Sequence, residues 1–193
     1  EISLGLVGSE MCIRDRDSHA VRKREEGRVH LDGFLSYPSA VYTVPYGVMV
    51  PKEVGNLLLP VPVSGSHIGF STLRMEPCWM AMGQAAGIAS ALSIDGKVKV
   101  QNIDLSRLQD KLVDQKATLM YFKDVDYTSP HFRMVQYLGL RGYLPEWTAR
   151  LQEPVDMATL TAWKKLSGKD LPGIEAGKTT RLVALEMIYR KIK

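Results

Sequence analysis

The stretch from Ser64 to Leu92, SGSHIGFSTLRMEPCWMAMGQAAGIASAL, constrains this chain more than any other. A loop with two glycines and a histidine leads to Arg74, and an Arg-Met-Glu-Pro turn then opens a helix. Proline at a first helical position is already set for helix and gives up an N–H that had no partner. The free N–H groups and the dipole of such a helix end favour an anion. Gly83, Ala85, Ala86, Gly87, Ala89 and Ala91 leave the body of the helix thin. The spacing predicts a helix from about Pro77 to Ser93 that can lie very close to a sheet or to a flat ligand.

The first residues stand apart from the rest. Leu6 to Arg16, LVGSEMCIRDR, looks like the in-frame translation of a tagmentation adapter from short-read libraries, and Glu1 to Gly5 would be flanking primer and index. On this reading residues 1–16 are an artefact, expected to be disordered and left out of fold reasoning. Genuine sequence then begins near Asp17, with the natural protein expected to continue upstream. The alternative is a genuine short strand, ISLGLVG.

Composition narrows the function classes. The chain carries 25 Lys and Arg against 21 Asp and Glu. Setting aside residues 1–16 leaves 23 against 18, a mild and scattered positive charge with no run suited to nucleic acid. The apolar runs all fall short of the ~20 residues that a membrane span needs. Cys78 stands alone once Cys12 is set aside, so neither a disulfide framework nor a metal-type cysteine pair is expected. The compartment is left open, secreted and periplasmic locations included, and so is the oligomeric state.

Short runs at Val41–Val44, Gly47–Val50 and Asn56–Val63 read as strands. Pro60 and Pro62 cannot donate to a ladder, so the last run ends at an edge or leaves the sheet. Asp104 reads as the cap of a helix with Leu105, Leu108 and Leu112 inward, stapled by Ile103. A boundary is expected near Thr118–Phe122. Beyond it Ser129, Asp156 and Thr179 or Thr180 read as caps of three helices, the middle one ending at Gly168. The fold class expected is therefore α/β through about residue 119, followed by a small all-α region over residues 120–193.

From Asp17 to about Leu119 the chain resembles FAD-dependent oxidoreductases, a family often labelled xanthan-lyase-like. Asp17-Ser18-His19, the run Val44 to Leu92, and the helix from Leu105 to Leu119 carry the likeness. The family order is a DSH segment, a Tyr-hydrophobic-VPK segment, a strand after NLL, a Ser-x-(Ser/Thr)-His loop, an Arg-hydrophobic-(Glu/Met)-Pro turn and GQ(A/S)A. The resemblance implies a dinucleotide-fold flavin domain with an inserted substrate domain, residues 17–119 supplying its last strand and closing helix. It implies FAD as cofactor, hydride transfer to the flavin, and a small-molecule or carbohydrate-related substrate.

It also singles out residues. Cofactor-facing positions would be Ser66, Arg74, Glu76, Pro77, Met80, Gly83 and Gln84. His67 and His19 would be catalytic, since imidazole titrates near neutrality and serves as acid or base; a satisfied structural histidine is the alternative for each. Arg74 reads either as a contact to a cofactor phosphate or carbonyl or as an ion-pair partner of Glu76. Gly83 and Gly87 serve tight packing or cofactor approach. Cys78 sits where a thiolate would be favoured, but burial as a small apolar residue is the preferred reading. A GxGxxG pyrophosphate loop is absent from these 193 residues, so this chain alone is not expected to retain FAD.

The tail, from Phe122 on, more loosely resembles S-layer-homology repeats. Phe122-Lys123-Asp124-Val125 matches an F-x-D-V opening and Thr180-Arg181 echoes the start of the second repeat helix, whereas Val155-Asp156-Met157-Ala158 departs from the pattern. The preferred reading is a helical appendage, and the rival is a cell-wall or glycan-binding module. Trp79, Trp147 and Trp163 read as core residues, with sugar stacking as the alternative. A fragment without function of its own is the third possibility.

Overall fold

The structure, a computed structural model, describes residues 5–6, 16–19, 34–37 and 41–193. The described residues are mostly helical. The chain divides into two compact units between Leu112 and Val113, inside the last turn of a helix rather than at Thr118–Phe122.

In the first unit, two short antiparallel pairs join β1 (Gly5–Leu6) to β4 (Val44–Pro45) and β2 (Arg16–His19) to β3 (Phe34–Tyr37). In the second pair, His19 lies opposite Phe34. A single 3₁₀ turn, Tyr46–Met49, follows β4. Next come α1 (His67–Leu73), α2 (Glu76–Gly96), a 3₁₀ turn at Val100–Asn102 and α3 (Leu105–Asp114).

The expected strand at Asn56–Val63 does not form. The two prolines remove ladder donors, as their chemistry requires. What remains is a pair of backbone bonds to the 3₁₀ turn, Leu59 N–H to Met49 O at 2.9 Å and Ser64 N–H to Val48 O at 2.8 Å. The run Gly47–Val50 is likewise a turn and not a strand. An α/β sheet of the expected kind is therefore not seen among the described residues.

α2 buries Cys78, Met82, Ala85, Ala86, Ala89 and Leu92, the spacing of one helical face. It runs three residues past the expected end at Ser93. Lys97, at φ 50°, takes the left-handed terminal position in place of Gly96. The Ser93 hydroxyl donates to Val98 O at 2.5 Å and Val98 N–H to Ser93 O at 3.0 Å, which satisfies the frayed end. Tyr46 then ties the start of the unit to its end, its hydroxyl donating to Val100 O at 2.9 Å. Burial pushes that phenol up to about 12.

The second unit holds α4 (Phe132–Leu140), α5 (Met157–Ser167) and α6 (Arg181–Ile192). Its core gathers Phe122, Val135, Leu138, Leu144, Trp163, Leu185 and Ile188. Asp156 caps α5, its carboxylate accepting from the Thr159 hydroxyl at 2.6 Å and from Thr159 N–H at 2.8 Å, and these two bonds hold its carboxyl below the usual range. Thr180 caps α6. α5 stops at Gly168, φ 61°, where the sequence puts it. α4 begins at Phe132, later than Ser129 implies, because the Ser129 hydroxyl accepts from His131 N–H in a tight turn first.

Candidate functional site

The joint between α1 and α2 gathers most of the residues the sequence singled out. Ser66 caps α1, its hydroxyl accepting from Gly69 N–H at 3.1 Å. His67 is therefore the first residue of a helix and not part of an open loop. The sequence reading missed α1 because Gly65 and Gly69 look like loop residues; a Cβ at Gly69 would meet Ser66 Oγ at 3.1 Å, so this glycine makes room for the cap. α1 lies against β2, which brings the backbone positions of His67 and His19 into one region. His30 lies outside the described residues.

Arg74 ends α1, its backbone N–H donating to Phe70 O at 3.0 Å, and Met75 opens α2. Pro77 falls in the first turn of α2, where no N–H is needed, and Glu76 adds an acidic group there. Arg74 and Pro77 are half-buried, whereas Glu76 is exposed. Cys78 is a buried free thiol.

Trp79, in the same first turn, has a buried indole N–H without a hydrogen-bond partner among the described residues. Buried donors are nearly always satisfied, and leaving one unmet costs about 1–3 kcal/mol. Sequence reasoning treated Trp79 as core; the signal available was its position one residue after Cys78 on an anion-favouring helix end. Further along, Met80 is 75% exposed, Gln84 and Gly87 are exposed and Gly83 is half-buried. A Cβ at Gly83 or Gly87 would meet nothing within 4 Å among the described residues.

Among the described residues no group of three His, Cys, Asp or Glu side chains could hold a metal ion. No described helix is long and apolar enough to cross a membrane.

In the second unit Asp124 receives Ala149 N–H at 2.8 Å and Arg150 N–H at 2.7 Å. The Arg181 guanidinium donates to Ala149 O at 2.9 Å and lies 5.3 Å from the Trp163 ring. Trp163 is core, its N–H donating to Tyr143 O at 2.8 Å. Trp147 corrects the reading of all three tryptophans as core. It is 44% exposed, edge-on to Tyr121 at 6.4 Å, because the Trp147 carbonyl accepts Lys123 N–H and pins this stretch at the surface.

The joint thus sets an arginine beside a helix start, with small residues along the helix that follows. The model of the FAD dependent oxidoreductase family matches residues 14–112, and the chain belongs to that family. No curated protein and no solved structure matches the chain.

Proposed function

We propose that residues 17–112 form part of the flavin domain of an oxidoreductase, as the last strand and closing helix of its dinucleotide fold. The α1–α2 joint is its cofactor-facing end. The observation that carries this is the unpartnered indole N–H of Trp79, a buried donor in the first turn of a helix whose end already favours negative charge. A flavin carbonyl or phosphate oxygen would satisfy it. Arg74 and the cap at Ser66 flank the same joint, and Pro77 leaves the neighbouring N–H groups free to point outward. FAD, when bound, supplies the hydride acceptor. This chain orients it at the joint, and His67 or His19 moves the substrate proton.

We centre the cofactor contact on Ser66, Arg74, Pro77 and Trp79. Glu76 would compete with a phosphate for the helix end, and Met80 and Gln84 open to solvent further along. Gly83, half-buried, gives room between the two. The substrate is proposed to be a small hydroxylated or carbohydrate-related molecule, on the strength of the sequence resemblance alone. The pyrophosphate loop is not in this sequence, so the purified chain is expected to hold FAD weakly and to lose it on gel filtration. The test is a fluorescence titration with FAD. Saturable quenching of Trp79, weakened at least about tenfold by Arg74→Ala, supports the assignment, tenfold being about 1.4 kcal/mol. Quenching that Arg74→Ala leaves unchanged overturns it.

The exposed Trp147, edge-on to the half-buried Tyr121, favours a second activity for residues 120–193, glycan binding in the manner of S-layer-homology repeats. A pull-down of the chain with cell-wall polysaccharide that survives Trp147→Ala would reject that pair as the contact.

A further inference from the structure

We propose that the end of the second unit where α4 and α6 finish holds a site for a soluble phosphate-type oxyanion, bound by Arg141 and Tyr143 with Lys193 as a second positive charge. Arg141 follows the last residue of α4 and is half-buried. Its guanidinium lies 3.5 Å from the centre of the Tyr137 ring, and one of its nitrogens donates to Tyr137 O at 3.1 Å. The stacking fixes the plane of the guanidinium and leaves its other N–H groups to be met. No carboxylate pairs with it among the described residues. A charge withdrawn from water normally finds a counter-charge, and an oxyanion taken by two N–H groups at once is the ligand that this fork fits.

The surroundings supply donors and little acid. Tyr137 meets Tyr189 of α6 edge-on at 5.2 Å. Lys193 Nζ stands 5.3 Å from the centres of both rings and donates to Tyr189 Oη at 3.1 Å, so a second cation shares the ring that Arg141 covers. Tyr143 lies close enough to Tyr137 and Arg141 for both to act on its phenol. Burial and then Tyr137 push that phenol up against the pull of Arg141, so at neutral pH it keeps its proton and can donate. Arg141 is the only charged residue from Met134 to Pro145, and the charged residues of α6 after Glu186 are Arg190 and Lys191. Glu186 faces His131, at the other end of α4, at 3.9 Å. Asp170 meets Lys191 through its backbone carbonyl, and Lys191 O in turn accepts from Lys169 Nζ. Helix C-termini attract cations, which accounts for a basic residue at each end. They do not account for two cations on one ring beside a phenol without a hydrogen-bond partner among the described residues. Guanidinium, ammonium and hydroxyl come from the end of α4, the residue after α6 and the turn after α4, which suits a tetrahedral oxyanion better than a flat carboxylate. The site lies outside residues 14–112, so it stands apart from the flavin reading.

The experiment is calorimetric titration of the full chain with inorganic phosphate at constant ionic strength. Saturable one-to-one binding is expected for the wild type. Arg141→Gln is expected to weaken it at least about tenfold, and Arg141→Lys, which keeps the charge and loses the planar fork, by a smaller factor. Tyr143→Phe is expected to weaken it a few-fold, and Arg190→Gln, at an exposed position, to leave it unchanged. Each variant is expected to keep the helical circular-dichroism signal of the wild type, and Arg141→Lys stands even where Arg141→Gln fails to fold. Vesicles containing phosphatidic acid separate a lipid headgroup from phosphate in solution. A wild type that binds no phosphate overturns the proposal, as do Arg141 variants that bind as the wild type does, an equal loss from Arg190→Gln, or binding seen only with the vesicles.

Discussion

Gln136 is fully buried on α4, and replacing it with methionine isolates what one amide does for the helical unit. Its Oε1 accepts from Leu119 N–H and from Met120 N–H, both at 2.7 Å, and its Nε2 donates to Met120 O at 2.7 Å. A side chain thereby completes the backbone bonding of a segment that has neither helix nor strand to do so. Methionine keeps the volume and removes all of these bonds. Leu119 is itself fully buried, so water cannot replace its partner, whereas Met120 is half-buried and recovers part of its loss. At about 1–3 kcal/mol for each buried orphan, discounted for Met120, the substitution should cost roughly 3–5 kcal/mol. Total stabilities are about 5–15 kcal/mol, so this is about a fifth of the unit's stability or more. The assay is urea unfolding followed by tryptophan fluorescence in a Trp79→Phe background, where Trp147 and Trp163 report residues 113–193. Gln136→Glu adds a second reading. Its carboxylate still accepts both N–H groups but faces the Met120 carbonyl, so its deficit should shrink as pH falls and the carboxyl takes up a proton. A loss under about 1 kcal/mol for Gln136→Met would refute the clamp.

Tyr46 should make the first unit sensitive to alkali. Its folded pKa is raised from 10.0 to about 12, so its contribution is complete below pH 10 and declines as pH rises toward 12, by at most about 2.7 kcal/mol; Tyr46→Phe should lose about 1–2 kcal/mol at neutral pH and flatten that decline, measured by denaturation at several pH values. Asp124→Ala strips a carboxylate from Ala149 N–H and Arg150 N–H and should lower the stability of the second unit by about 1–3 kcal/mol in urea. Two glycine substitutions should act in opposite directions by thermal unfolding. Gly139→Ala drives a Cβ to 2.9 Å from the buried Phe122 ring and should cost about 1–3 kcal/mol, whereas Gly83→Ala meets nothing within 4 Å and should gain about 0.5–1 kcal/mol.

Helix ends were the most legible part of this chain, because capping is local chemistry. Asp104, Asp156, Thr180 and Gly168 each act within a few residues of themselves and stand where the sequence puts them. Strands were least legible, because a strand exists only through a partner. NLLLPVPV has the apolar run of a buried strand, but its two prolines leave it without the donors that pairing requires. α1 was hidden for a different reason. Its glycines argue against helix, and the Ser66 cap that offsets them looks like one more loop serine. Gln136 carried no local signal, since its partners lie well upstream in sequence.

The site divides along the same line. Arg74, Glu76 and Pro77 announce a helix start by type and order alone, and the structure places them at one. The unmet N–H of Trp79 could not be read from the chain, because satisfaction depends on everything else that packs nearby. The glycines of α2 sit between these cases. Their smallness is visible in the sequence, but what they are small for is not. Among the described residues nothing stands within 4 Å of a Cβ at either position, so no described contact offsets the helix penalty of about 1 kcal/mol that each carries. Gly83 is half-buried and Gly87, one turn further along the same face, is exposed. A bulky substitution at the half-buried Gly83 should therefore disturb the quenching by FAD more than the same substitution at the exposed Gly87.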